Sequence, residues 1–313
     1  VKQNSTDGRA AHRQRDLVLS VLERVKTEGR TSLTAPEGKL LCEAYGIAVP
    51  KEGVARSAAE AVSMAAAMGY PVVLKIVSPD ILHKTEAGGV LVGLKSEEEV
   101  TKGHATILAN ARRYKPDARI DGIQVQQMLT GGQEVIVGAV TDGSFGKLVA
   151  FGLGGVLVEV LKDITFRLAP VTRDEALSML DGIQAAEILK GVRGSEPVDR
   201  DAIADIIQKV SELVSDFPDI VEMDLNPIFA KSNGAIAADV RIVVDFAPKP
   251  ERYRPTQEQI VAQMNRIMKP DALAVIGASS EDGKIGNSVM KNLINGGYKG
   301  TIYPIHPKAD EIM

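Results

Sequence analysis

Short apolar β-forming runs alternate with capped helices along most of this chain, and that alternation admits little beyond a layered α/β architecture. Continuous or alternating apolar stretches at 71–77, 90–94, 123–129, 134–140, 147–151, 220–229 and 235–244 predict strands. Capping pairs predict four helix starts: Ser57 with Glu60, Ser96 with Glu99, Thr172 with Glu175, and Thr256 with Gln259. Ile203, Ile206, Ile207, Val210, Leu213 and Val214 form a stripe of helical period, the mark of a helix packed on one side. At the front, Leu17, Val18, Val21, Leu22 and Val25 have helical spacing, while the polar residues 1–16 predict a loose arm.

A shift in composition divides the chain. Pro248, Pro250, Pro255 and Pro270 surround one helical segment, which predicts a linker over 246–270. That gives an N-terminal arm and helix over 1–30, a large domain over 31–245, the linker, and an incomplete second domain over 271–313. The last opens with an apolar strand at 272–276, a Gly-containing loop, a helix at 289–294 and a strand at 301–305, the β-α-β start of a doubly wound sheet.

A length of 313 residues suits two such units, and 44% hydrophobic with 25% charged residues is ordinary globular composition. A net charge of -4 with 4% aromatics and no Trp offers neither a basic nor a stacking surface to nucleic acid. No apolar run reaches the roughly 18 residues of a membrane span, and residues 1–16 are too polar for a signal peptide, so a cytoplasmic protein is expected. Cys42, between Leu40, Leu41 and Ala44, reads as a small core residue of a helix rather than a nucleophile.

Candidate chemistry lies in the Lys75 strand with the loop after it, in the run 124–134, and thirdly in the hairpin 221–242. Lys75 stands inside a strand that is apolar on both faces, where an ammonium is costly without a partner; a bound phosphate would supply one, as would a head that reaches back to water. Directly after it, His83-Lys84-Thr85-Glu86-Ala87-Gly88-Gly89 joins a titratable imidazole and a point charge to a Gly pair open to an anion, in a loop that a solvated turn would also explain. The run 124–129, with Gln126 and Met128, followed by Glu134, suits a hinge that lends backbone groups to an adenine and a carboxylate to a ribose; alone it is an alternating strand.

The third segment is sharper. Closing 221–242 as a hairpin, with the loop at 231–234, sets Asn226 opposite Asp239 and Asp224 opposite Arg241, all on one face, with Met223, Leu225, Val240 and Ile242 on the other. Mg2+ takes one or two protein carboxylates besides phosphate and water, so Asn226 and Asp239, with Asp224 beside them, are candidate ligands. A solvated face with an Asp224–Arg241 pair is the alternative, and Pro227 is where a bulge would upset the register. The Gly152-Leu-Gly-Gly155 run does not open a helix and reads as a turn near the same cleft, whereas 275–288 does lie between strand and helix, where a diphosphate sits.

Taken together, Tyr70-Pro-Val-Val-Leu-Lys75, Ser78-Pro79, His83-Lys-Thr-Glu-Ala-Gly-Gly-Val90, Gly132-Gln-Glu-Val135, Phe145-Gly146, Phe151-Gly-Leu-Gly-Gly155, Val158-Glu159, Gly191-Val-Arg-Gly194 and Asp224-Leu-Asn-Pro227 resemble the ADP-forming acetyl-CoA synthetase family, relatives of succinyl-CoA synthetase. The likeness covers nearly everything after the N-terminal arm. It implies an ATP-grasp domain followed by the first β-α-β unit of a Rossmann-like CoA-binding domain. The ligands implied are ATP or ADP, Mg2+ and coenzyme A, with a small carboxylic acid as substrate. Lys75 falls on the nucleotide phosphates, Glu134 at the ribose, and Asn226 with Asp239 on Mg2+, while Gly277, Ala278 and Ser279, with Lys284 and Asn287, match the start of the CoA site.

In that family ATP phosphorylates a histidine, the phosphoryl group passes to a carboxylate, and the CoA thiol attacks the acyl phosphate; His83 matches a loop histidine that shuttles phosphate to the nucleotide site. The principal phosphohistidine belongs to a ligase domain without a counterpart in this sequence. The order, ATP-grasp before CoA-binding, reverses that of many single-chain members. The resemblance therefore implies the front of a longer permuted polypeptide, its remaining domains in the same or a partner chain, and a homo-oligomer. Two rivals share these residues: a superfamily member with another fate for the acyl-CoA, such as an ATP-dependent dimethylsulfoniopropionate lyase, and a non-catalytic nucleotide- and CoA-sensing region. Retention of Lys75, Glu134, Asn226 and Asp239 argues against the sensor.

Overall fold

In the computed structural model, which describes residues 4–81, 83–155, 163–192, 196–247, 255–309 and 311–312, the chain forms two compact units, Val1–Ala247 and Pro248–Met313. The first unit opens with α1 (Asn4–Thr27), α2 (Ala35–Ala44), β1 (Glu52–Ala55), α3 (Ala58–Met68), β2 (Val72–Val77), β3 (Val90–Leu94), α4 (Glu97–Tyr114) and β4 (Gly122–Gln127). It continues with β5 (Gln133–Asp142), β6 (Gly146–Leu153), β7 (Ile164–Leu168), α5 (Arg173–Gly182), α6 (Arg200–Asp216), β8 (Ile220–Lys231), β9 (Gly234–Ala237) and β10 (Val240–Val244).

These strands make two antiparallel sheets with separate cores. The four-stranded sheet has the order β1-β4-β2-β3, and its Leu74, Ile76, Ile123 and Val125 pack with α3 and α4. The second sheet has the order β10-β8-β5-β6-β7, with β9 also on β8. Its Val135, Val137, Met223 and Leu225 share a core with α1, α2, α5 and α6, whose predicted stripe from Ile203 to Val214 is buried. Each sheet thus buries one face under helices.

The capping signals act as predicted, with one variation. Thr172 and Thr256 form complete boxes with Glu175 and Gln259. Ser57 and Ser96 accept the N–H of Glu60 and Glu99, but those carboxylates reach one residue further back, to the N–H of Arg56 and Lys95.

Several expectations need correction. Residues 4–16 continue α1 rather than forming a loose arm. The stretch 235–244 is two strands interrupted at Ala238 and Asp239, and β1 and β7 were not anticipated. A fifth capping box, Thr34 with Glu37, starts α2. Cys42 is buried as expected, and burial pushes its thiol up to about 12, a poor nucleophile.

Glu37 also ties the front of the chain down. It accepts both Arg30 Nη groups at 2.8 Å, Arg24 at 3.0 Å, and the N–H and hydroxyl of Thr34. Burial pushes its carboxyl up, but the Arg30 and Thr34 hydrogen bonds outweigh that and bring it down to about 2. A carboxyl depressed in the folded state stabilises fully above its unfolded pKa, and that contribution disappears as pH falls from about 4.5 toward 2. Glu37→Gln should therefore cost roughly 3 kcal/mol at neutral pH and flatten the acid limb of the stability curve. Urea titrations across that window test it, and an unchanged acid slope would remove Glu37 as the source.

The second unit holds α7 (Gln257–Met268), β11 (Ala272–Ile276), α8 (Ile285–Asn295) and β12 (Thr301–Ile305). β11 and β12 pair in parallel, Ala272 opposite Thr301 through Ile276 opposite Ile305. The helix predicted at 289–294 begins four residues earlier, at Ile285. Among the described residues no helix is long and apolar enough to cross a membrane.

Candidate functional site

Lys75 is buried in β2, and because Leu74 and Ile76 on either side enter the core with α3 and α4, its side chain must leave by the opposite face. There its Nζ donates to the Ala238 carbonyl at 3.2 Å and lies 3.5 Å from Asp239 Oδ1. Lys84 Nζ stands 3.7 Å from the same oxygen. Lys75 is thus ion-paired inside rather than extended to water. Burial pushes its ammonium pKa down, Asp239 opposes that, and the charge of Lys84 adds to the depression.

The opposite wall is the hairpin. Lys231 pairs with Gly234 around a two-residue turn, which preserves the register predicted for a 231–234 loop. Arg241 is opposite Asp224 and Val240 opposite Leu225, so the same count sets Asn226 against Asp239 at the break between β9 and β10. Parity divides the faces as expected: Met223, Leu225 and Ile242 are buried, while Asp224, Asn226, Asp239 and Arg241 line a cleft. The register shift occurs on the β5 edge, across from Asn226 and Pro227, and leaves the pairing of Asp224 with β10 intact.

The anticipated Asp224–Arg241 ion pair does not form. Arg241 turns to Glu222 at 2.9 Å, and Asp224 makes no hydrogen bond or ion pair among the described residues. Burial pushes the Asp224 carboxyl above its usual range, with the charge of Arg241 opposing. A desolvated carboxylate without a partner suits a ligand that brings positive charge.

The cleft encloses about 590 Å³ and joins this face to His83, Lys84 and Glu86. His83 is exposed, with Nδ1 3.8 Å from Glu86 Oε1. The Gly pair is occupied with the loop's own geometry. The N–H groups of Gly88 and Gly89 donate to the carbonyls of Thr85 and Lys84, and a Cβ on Gly89 would lie 2.5 Å from Ile76 Cγ2. In this conformation those donors close the loop on itself rather than face an anion, and the Ile76 N–H ties the loop to β2 by donating to the Gly89 carbonyl.

Glu134 lies further along the same sheet face. It pairs with Phe229, while Gly138, four residues on, pairs with Asp224, a separation of roughly 13 Å along β5. The Gly154 N–H donates to its carbonyl, which brings the 152–155 turn beside it; residues 158 and 159, and 193 and 194, lie outside the described residues. Met128 N–H donates to the Pro71 carbonyl. Gln126 lies in β4 between Glu52 of β1 and Val73 of β2, and its side chain donates to Glu52 Oε2 at 3.0 Å and the Ala238 carbonyl at 2.9 Å. Glu52 escaped the sequence reading because no local pattern marks a partner 74 residues away.

In the second unit, Gly277 ends β11 with φ 79° and donates its N–H to Ile305. Ala278, Ser279 and Asn287 are buried, and Asn287 Nδ2 donates to the Ser279 carbonyl at 3.2 Å. Lys284 is the N-cap of α8 and pairs with Glu281 at 2.8 Å. A Cβ on Gly286 would collide with the Gly277 carbonyl, so the first turn of α8 closes directly onto the end of β11. The result is a strand-to-helix turn with the helix N-terminus aimed at the loop.

Comparison with known proteins agrees with this geometry. The family model of the ATP-grasp domain matches residues 24–244, and that of a CoA binding domain matches 271–313. The beta subunit of ADP-forming acetate–CoA ligase I from Pyrococcus furiosus is 50% identical over 224 residues, 72% of this chain and 96% of that subunit. The chain belongs to the ADP-forming acetyl-CoA synthetase family. Its fold is that family's ATP-grasp domain followed by a short CoA-binding segment. The alpha subunit of the same Pyrococcus furiosus enzyme is 51% identical over 49 residues, 16% of this chain and 11% of the subunit.

Among solved structures, acetyl-coenzyme A synthetase 1 of Ca. Korarchaeum cryptofilum, in complex with coenzyme A and Ca-AMPCP, superposes with a TM-score of 0.70 at 43% identity, over 72% of this chain and 99% of the matched one. In a further structure of that synthetase, with coenzyme A and Mg-AMPPCP, the phosphohistidine segment points towards the nucleotide binding site. Within the ATP-grasp match lie Lys75, His83, Lys84, Glu134, Asp224, Asn226 and Asp239; within the CoA-binding match lie Gly277 through Asn287.

Proposed function

We propose that this chain binds MgATP and handles its terminal phosphoryl group for an ADP-forming acyl-CoA synthetase that joins a small carboxylic acid to coenzyme A. The carrying observation is that Lys84, Asp239, Asp224, Asn226 and His83 line one cleft, with Lys75 behind Asp239 at 3.5 Å. Two ammonium groups offer phosphate oxygens point charges, and Asp239 keeps both positioned until the nucleotide arrives. Asp239, Asn226 and Asp224 form an oxygen-donor set that fits Mg2+, which supplies charge neutralisation at the phosphates when bound. Glu134, displaced along the same face, is assigned to the ribose.

His83 is the proposed phosphoryl carrier. Its imidazole is accessible, sits on the loop that carries Lys84, and is nucleophilic when neutral. In the direction of ATP synthesis a phosphohistidine elsewhere in the enzyme yields its phosphoryl group to this imidazole: one P–N bond breaks and another forms. ADP then attacks, the second P–N bond breaks, and ATP leaves with the phosphoryl group on the β-phosphate oxygen. Acyl-CoA synthesis is the same path reversed.

Residues 277–287 are assigned to the diphosphate of CoA. Both strands of this unit expose apolar residues, among them Ile276, Ile305 and Tyr303. We assign that surface to further elements of a CoA-binding domain, in the same chain or a partner.

A thermal melt tests the nucleotide half. ATP with Mg2+ at roughly 100 times its dissociation constant should stabilise the first unit by about 2.7 kcal/mol, or several degrees. The shift should shrink without Mg2+, and the 313-residue chain alone should form no acyl-CoA. A melt indifferent to MgATP would overturn the nucleotide assignment.

A further inference from the structure

The face of the four-stranded sheet away from α3 and α4 sets a polar cluster among Val54, Val73 and Val90, where a sheet face buried against another element is usually apolar. Lys75 on β2 is opposite Gln124 on β4, and Gln126 on β4 is opposite Glu52 on β1. All four point away from the α3 and α4 core, toward the break between β9 and β10 in the other sheet. Gln124 and Gln126 are buried at 2% and 4% exposure, so their hydrogen bonds are made in a site largely closed to water.

These groups converge on one carbonyl. Ala238 O accepts from Gln126 Nε2 at 2.9 Å and from Lys75 Nζ at 3.2 Å. Gln126 has its other Nε2 hydrogen on Glu52 Oε2 at 3.0 Å. Ala238 and Asp239 belong to neither β9 nor β10; the N–H of Ala238 donates to Pro227 O at 2.9 Å, and the other restraints come from the opposite sheet. Asp239 is the next residue, within 3.5 Å of Lys75 and 3.7 Å of Lys84.

We infer that Glu52 and Gln126 are a positioning pair that fixes the Ala238–Asp239 segment across the two sheets and so presents the Asp239 carboxylate to Mg2+. The inference rests on the proposed MgATP site and deepens it. Glu52 touches neither nucleotide nor metal. It acts through Gln126, whose amide is held in the orientation that points an N–H at Ala238 O. Without that acceptor the Gln126 amide is free to rotate its oxygen toward Ala238 O, which repels the carbonyl and frees Asp239. A side-chain hydrogen bond, rather than the charge of Glu52, carries the effect.

Titrating Mg2+ at fixed ATP, with nucleotide binding as the readout on the 313-residue chain, separates this from general support of the fold. Glu52→Ala should raise the Mg2+ concentration for half-maximal binding roughly tenfold while metal-free ATP affinity stays within about twofold. Glu52 accepts from Gln124 as well as Gln126; Glu52→Gln keeps one acceptor, for Gln126, and offers an N–H to Gln124, whose buried Oε1 has no partner among the described residues, so it should restore wild-type Mg2+ dependence. Without nucleotide, amide exchange at Ala238 should accelerate at least about fivefold in Glu52→Ala and not in Glu52→Gln.

Equal losses with and without Mg2+, or a Glu52→Gln variant as defective as Glu52→Ala, would overturn the positioning role. So would wild-type Mg2+ dependence in Glu52→Ala. If Glu52→Ala fails to fold, Glu52→Asp, which withdraws the oxygen by one methylene, carries the same test. Absence of Mg2+-dependent nucleotide binding in the wild-type chain would instead overturn the proposed function itself.

Discussion

In the enzyme assembled with its ligase region, His83→Ala should abolish acyl-CoA-dependent ATP synthesis, by at least about a thousandfold, and leave MgATP binding within roughly twofold of wild type. The split follows from where His83 sits. Its imidazole is exposed and among the described residues pairs with Glu86 alone, at 3.8 Å. The loop is held instead by main-chain bonds: Ala87 N–H to His83 O, Gly88 to Thr85 and Gly89 to Lys84. Removing the imidazole leaves that scaffold and the Lys84 anchor intact. The melting temperature should therefore not move, and the nucleotide should still find both lysines. Rapid-quench detection of an acid-labile phosphoprotein gives an independent readout: the signal on this chain should disappear in His83→Ala. Wild-type turnover in that variant would reduce His83 to a loop residue.

Much of the architecture was legible because its periods are local. The alternation in 220–244 gave the hairpin register, since Met223, Leu225 and Ile242 must share a core, and a two-residue or four-residue turn keeps the same parity. The β11 and β12 bounds were equally plain, each a five-residue run between Gly- or Pro-containing turns. β1 and β7 were missed for the opposite reason. Glu52-Gly-Val-Ala55 has one fully buried residue, and Ile164–Leu168 is an edge strand with Phe166 and Leu168 exposed, so neither carries a period. The Thr34–Glu37 spacing is itself a capping-box signature, local enough to mark the start of α2.

The candidate site was legible in its residue types but not in its contacts. Lys75 announced itself by breaking an apolar strand, and Asp239 by hairpin parity. That each is the other's partner follows only from the packing of two sheets, between residues separated by more than half the chain. The same holds for Gln126, whose position in a hinge-like run suggested nucleotide contact while its amide bonds Glu52 and Ala238. The Gly88–Gly89 pair shows the converse: a motif read as an anion cradle has a sufficient local cause in the Ile76 and Lys84 atoms that leave no room for a Cβ on Gly89.

Asp239→Ala should move metal-free and metal-dependent nucleotide binding in opposite directions. In the free protein the Asp239 carboxylate faces two ammonium groups, 3.5 and 3.7 Å away. It offsets charge that would otherwise attract phosphate. Removing it leaves Lys75 with the more distant charge of Glu52 and Lys84 without its Asp239 contact, so ATP without Mg2+ should bind as tightly as to wild type or more tightly. With Mg2+ present the balance reverses. On the proposed assignment the metal loses one of its carboxylates, and Asn226 with the desolvated Asp224 remains as a weaker donor set. A charge-assisted contact of this kind contributes about 1.5–3 kcal/mol, so MgATP should weaken by roughly 10- to 100-fold. Calorimetric titrations with ATP in EDTA and with ATP in excess Mg2+ give the two limbs. Equal weakening in both would mean that Asp239 serves only to hold the lysines, and a weakened metal-free limb alone would place Mg2+ elsewhere in the cleft.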